Sequence, residues 1–161
     1  MKRHLAAAAI LAAFGATAAR AEQIGASVAA WQAGVVCAGE FGQSGSAADI
    51  AFIARTQTVP AVVGMGFGIR AQVNVPGGVP DATITVDHPP FTPGGPTREQ
   101  YSAGLSDQGM SGFFYRFETP QEAAVGNWTV TASANGVVIY SLDFEVVQAR
   151  QGDGLLQACG M

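Results

Sequence analysis

The sequence predicts an all-β domain, an antiparallel β-sandwich of about seven to nine short strands. Three observations predict it. Apolar and polar residues mostly alternate, the period of a strand with one buried face. Twenty-one glycines and eight prolines punctuate the 161 residues at close intervals. No segment reads as a helix of three or more turns. A small closed β-barrel is the alternative architecture.

The elements follow in order. Segments 33–41 and 50–58 read as the first two strands. The clearest strand covers 62–75, with Val63, Met65, Phe67, Ile69, Ala71, Val73 and Val75 on one face. Its other face carries Gly64, Gly66 and Gly68, which leave room for a neighbouring strand, an aromatic ring or a ligand. Pro60 opens this element and Pro76 closes it.

Segment 81–88 is next, with Ala82, Ile84 and Val86 inward, ended by His88-Pro89-Pro90 because proline has no amide hydrogen to donate. Residues 89–97 form a proline-rich loop, and 99–105 a weaker strand. Residues 112–117 are aromatic, with Phe113, Tyr115 and Phe117 on one face and Phe114 opposite. A hairpin spans 127–147 around Asn135-Gly136.

In that hairpin a three-residue loop, Ala134-Asn135-Gly136, pairs Ser133 with Val137 and Trp128 with Leu142, and keeps both apolar sets on one side. That register asks for a left-handed residue at Gly136. Segment 148–161 is a tail.

The amino terminus has the layout of a cleavable export signal. Met1-Lys2-Arg3-His4 is basic, an alanine-rich apolar run follows, and Ala19-Arg20-Ala21 offers small residues for cleavage. We therefore expect a signal peptide over 1–21 and a single domain over 22–161, periplasmic or secreted. No later segment is long and apolar enough to span a bilayer. Without Lys2, Arg3 and Arg20 the eight basic residues fall to five arginines against twelve acids, a net charge of −7. Such a chain repels phosphate backbones and anionic membrane surfaces, which argues against nucleic acid as a partner.

The two cysteines, Cys37 and Cys159, lie near opposite ends of the exported part. Oxidising compartments preserve paired thiols, and the spacing is not that of a redox-active pair, so a structural bond is expected. It would close a loop of about 120 residues, for which the chain-entropy model gives roughly 4–5 kcal/mol.

Catalytic chemistry finds few residues. His88 is the only histidine beyond the signal, and no serine sits in Gly-x-Ser-x-Gly; Gly42-Gln43-Ser44-Gly45-Ser46 comes near. Zinc lacks ligands and no loop has the spaced acids calcium needs, so neither metal nor cofactor is expected. Glu118 with Glu122, and Asp143 with Glu145, are the nearby carboxylate pairs, and the alternation of Asp143 and Glu145 against the apolar face reads as solvated. The candidate binding residues are His88 and Phe91 in the proline-rich loop, and Phe114 in the aromatic run.

Several segments recur together in a known family: Val59-Pro60-Ala61-Val62-Val63-Gly64-x-Gly66-Phe67-Gly68, then His88-Pro89-Pro90, Tyr115-Arg116-Phe117, Gly126-Asn127-Trp128-Thr129 and Phe144-Glu145-Val146-Val147. In this order they resemble the bacterial domain-of-unknown-function 3859 family over roughly residues 33–147. The resemblance implies a small immunoglobulin-like sandwich and brings no catalytic residue with it. The resulting expectation is a non-enzymatic periplasmic module that binds or supports a protein partner. A small-molecule or ion-binding sandwich, with residues 64–68 as its floor, is the alternative. A hydrolase using His88 or a carboxylate pair ranks third.

Overall fold

The computed structural model describes residues 22–37, 39 and 49–161. The expected signal peptide and the near-motif at Gly42 to Ser46 lie outside them. Nine strands form among the described residues: β1 Gln23–Ile24, β2 Val28–Cys37, β3 Thr58–Pro60, β4 Met65–Val73, β5 Val79–Asp87, β6 Arg98–Leu105, β7 Ser111–Arg116, β8 Gly126–Ala134 and β9 Val137–Val147. A five-residue helix, α1 Gly154–Ala158, follows them.

The strands make two sheets. One runs β1-β9-β8-β5-β6, with β3 also pairing β9; the other runs β2-β4-β7. Every pairing is antiparallel except the short one of β3 on β9. The sandwich and its strand number match the expectation, and the open sheet order rules out the barrel.

Alternation explains the core. On β4, Met65, Phe67, Ile69, Ala71 and Val73 are buried. They face Ala82, Ile84 and Val86 of β5, Trp128, Val130 and Ala132 of β8, and Tyr140, Leu142, Phe144 and Val146 of β9, all in one hydrophobic cluster. Phe67 sits at its centre, 4.4 Å from the Phe144 ring and 5.6 Å from Trp128, the latter edge-on. Each such side chain contributes about 1.5–3 kcal/mol by leaving water.

Four expectations about elements are corrected. The strand expected over 62–75 starts only at Met65, and Pro60 ends β3 rather than opening β4. Between them Val62 to Gly64 turn the chain: the Met65 amide donates to Val62 (3.0 Å), Gly64 has φ +91°, and Val63 is left 41% exposed instead of facing inward.

The expected strand over 50–58 does not form. Only a bridge of Ala54 to Val35 and the start of β3 remain, because this segment lies over the outer face of β2 and β4 instead of joining a sheet. The strand expected over 33–41 starts earlier, at Val28, and is described as far as Cys37, with residues 38, 40 and 41 outside the described residues.

The fourth correction is the hairpin register. Ala134 pairs with Val137, so the turn has two residues, and both take left-handed φ: Asn135 +51° and Gly136 +78°. That turn matches the twist of the strands it joins. Ser133 then pairs with Val138 but Ala132 with Tyr140, leaving Ile139 as an extra residue. This bulge, rather than a longer loop, returns Tyr140, Leu142 and Phe144 to the face of Trp128. Gly136 has the positive φ expected of it, in a different turn.

Candidate functional site

Cys37 ends β2 and Cys159 caps α1; they are bonded, with Cα atoms 5.5 Å apart. Asp153 starts the helix by accepting the Leu155 amide at 2.9 Å, and Leu155, Leu156 and Cys159 pack on the core. The tail is therefore fastened to the sandwich by one covalent bond and a small apolar contact.

His88 is buried and follows β5. Its Nδ1 donates to the Pro89 carbonyl (2.8 Å), its amide to Thr97 (2.9 Å), and its Nε2 is buried without a partner. Phe91 stacks on the imidazole at 4.1 Å, and Trp128 lies 5.0 Å away. The proline-rich loop thus folds its aromatic residue back onto the core. Phe91 is half-buried there rather than held out to a partner.

Phe114 covers the glycine face. A Cβ at Gly68 would stand 2.3 Å from Phe114 Cδ1 and 2.5 Å from the Phe113 carbonyl oxygen. A Cβ at Gly66 would meet the Tyr115 carbonyl at 2.4 Å, and one at Gly34 the Ala54 carbonyl at 2.3 Å. The Phe52 ring packs 5.6 Å from Phe114, and the Arg70 guanidinium lies over both, 5.4 Å and 6.0 Å from their centroids. The expected ligand floor at residues 64–68 is therefore corrected: glycine is needed there because the chain's own ring and backbone fill the space. Gly68→Ala is expected to cost about 2–3 kcal/mol by overpacking, read as a lower denaturant midpoint. An unchanged midpoint would show that the face has room.

An open concavity lies elsewhere, at the seam between the two sheets. A groove of about 530 Å³ is lined by Glu99 and Tyr101 of β6, Phe113, Phe114, Tyr115 and Arg116 of β7, and Glu118 and Glu122 beyond it. Glu99 and Tyr101 pair opposite Val86 and Ile84, so they stand on the inward face of β6. Tyr101 lies 5.3 Å from Phe113, ring to ring, and its hydroxyl donates to Glu99 Oε2 at 2.7 Å. Tyr101 is still 41% exposed.

The charges of the groove are organised. Glu122 Oε2 accepts the amides of Glu118 (2.7 Å) and Thr119 (3.2 Å), and the Glu122 amide donates back to Thr119 Oγ1. This reciprocal cap fixes the turn that closes one end. Arg116 pairs with Glu118. Desolvation first, then the hydrogen bond to Glu99 and the charges of Glu99 and Glu122, raise the Tyr101 hydroxyl above its ordinary range, and desolvation followed by the Glu99 charge does the same for Tyr115. Both phenols stay protonated in a field made negative by carboxylates. Among the described residues, no three acids, histidines or cysteines come close enough together to hold a metal.

Of the groove's residues, the sequence singles out Phe113, Phe114 and Tyr115 as an aromatic run and Glu118 with Glu122 as a nearby carboxylate pair. That reading missed Glu99 and Tyr101. Their signal was phase: continued from Leu105 and Ala103, the inward positions of β6 fall on Tyr101 and Glu99. An ionisable group on an inward position marks a place where the sandwich is open.

A family model described as "Domain of unknown function (DUF3859)" matches residues 28–146. No curated protein matches the chain. Among solved structures, an immunoglobulin-like protein from Pseudomonas aeruginosa is similar, with 22% identity, a TM-score of 0.58, and coverage of 83% of this chain and all of that one.

Proposed function

The chain belongs to the DUF3859 family, and from that premise we propose that it is an exported, non-enzymatic binding module whose recognition surface is the groove between β6 and β7. The observation that carries this reading is the groove itself. It is a concavity of about 530 Å³, large enough for a drug-sized ligand or several residues of a partner, with aromatic walls and a few placed polar groups. The other sequence candidates are committed internally: His88 and Phe91 to a stack, Phe114 to the glycine face.

Three features support the non-enzymatic part. The His88 ring is buried against Phe91 and Trp128. Glu122 holds two backbone amides through Oε2, and Glu118 pairs with Arg116, so both have structural roles in the turn. A binding surface asks only for shape and charge, which the groove has. Export is supported by the signal-like first 21 residues and by the disulfide, a bond that persists in oxidising compartments.

The test is a photocrosslinking amino acid placed at Tyr101, in the groove, and separately at Val137, 67% exposed at the hairpin tip. In native cells, discrete adducts are expected from position 101 and none from 137. Adducts from 137 alone, or from neither position, would refute the reading.

A further inference from the structure

We infer that the groove between β6 and β7 is built for the basic side chain of an extended peptide segment, with the peptide's apolar neighbours lying on the aromatic rings. This rests on the groove being the binding surface and adds what it binds. Three aromatic residues, Tyr101, Phe113 and Tyr115, line one groove with three glutamates and a single arginine, a net charge of −2 at the lining, while Phe114, turned to the glycine face, only borders it. The faces of such rings attract ammonium and guanidinium groups, and carboxylates beside them strengthen the attraction.

The carboxylates keep capacity for a guest. An ionised carboxylate has about four acceptor positions on two oxygens. Glu99 engages the Tyr101 hydroxyl through Oε2 and also interacts with the Tyr115 hydroxyl, and Glu122 engages its two amides through Oε2, which leaves acceptor positions on each carboxylate. Both charges reach the two phenols, so they act on the same space. The exported chain as a whole carries −7, which draws a cationic partner and repels a second copy.

The shape favours a chain segment over a small molecule. Small-molecule sites enclose most of their ligand. This groove is open, with Tyr101 41% exposed along it and alternate residues Phe113 and Tyr115 of β7 facing it. An extended segment there would place alternate side chains against the rings, so recognition would read a basic residue flanked at every second position by apolar ones.

The probe is a blocked, dye-labelled pentapeptide of alternating valine and arginine, titrated by fluorescence anisotropy into the chain without its first 21 residues. Saturable binding is expected, weakened by salt, and weaker by about tenfold or more for the peptide with glutamate in place of arginine. Glu99→Gln is expected to weaken binding about tenfold at an unchanged melting temperature. Glu99→Gln with Glu122→Gln should weaken it further, with melting followed because Glu122 caps a turn.

Equal binding of the arginine and glutamate peptides, or no effect of Glu99→Gln, would overturn the inference. So would spermidine binding more tightly than the peptide, or self-association through the groove in sedimentation. If adducts form at position 101 in cells while the peptide fails to bind, the peptide assignment falls and the groove reading stands. If no adduct forms at position 101, both fall.

Discussion

Trp128→Ala is expected to destabilise the domain by about 4 kcal/mol, the range seen when a large buried aromatic is cut back to a methyl group. Trp128 is fully buried and belongs to both halves of the core. Its ring meets Phe67 at 5.6 Å and Tyr115 at 5.1 Å from the facing sheet, and His88 at 5.0 Å in the loop after β5. Its Nε1 donates to the Ala124 carbonyl at 3.0 Å, which ties the segment before β8 to the core. The substitution therefore opens a cavity, orphans a carbonyl and removes the surface on which the His88–Phe91 stack rests. Equilibrium unfolding in urea measures it. Trp128→Phe should recover more than half of the loss, since only the indole N–H and part of the volume are missing. A loss below about 1 kcal/mol for the alanine variant would mean that the core does not centre on Trp128.

Replacing both cysteines by serine is expected to have the second large effect. The bond joins residues 122 apart, and a loop of that size restricts the unfolded chain by about 5 kcal/mol in the entropic model, an upper figure. For a domain of this size each kcal/mol shifts the melting temperature by about 2–4 °C, so a fall on the order of 10 °C should be seen by calorimetry. The sandwich itself should persist, because Cys37 and Cys159 lie at its margin and the strands hold their own core. Loss of the β-sheet circular dichroism spectrum at 25 °C would show that the bond is needed for the fold and does more than fasten its tail.

What the sequence made legible, and what it hid, follows from the range of each interaction. The inward faces of β4 and β5 could be read because a half-buried strand repeats every second residue and nothing interrupts Met65 to Val73 or Ala82 to Val86. The disulfide was legible because two cysteines allow one intramolecular pairing. The hairpin register was not, because a bulge at Ile139 changes the phase mid-strand without a glycine to mark it.

Segment 50–57 misled for a different reason. Its Phe52 looks like a strand residue, and its role is to cover Gly34 and pack beside Phe114 on the outside of a sheet. The glycines announced a close approach but could not say whether the visitor was a ligand or the chain itself. The groove was the least legible feature. It depends on β6 and β7, from different sheets, meeting at one seam, and that adjacency is a property of topology rather than of either strand.

We propose the seam between β6 and β7 as the surface through which the chain would meet a partner. Hydroxyl-radical footprinting of the chain, purified and in its native cells, tests it most directly. Tyr101 and Trp31 have similar exposure, 41% and 36%, and sit at different places on the sandwich. Both should be oxidised in the purified chain. In cells Tyr101 should be protected about fivefold or more, the scale of a contact buried in an interface, while Trp31 stays reactive. Equal oxidation of Tyr101 in both settings, or protection at Trp31 instead, would contradict the account.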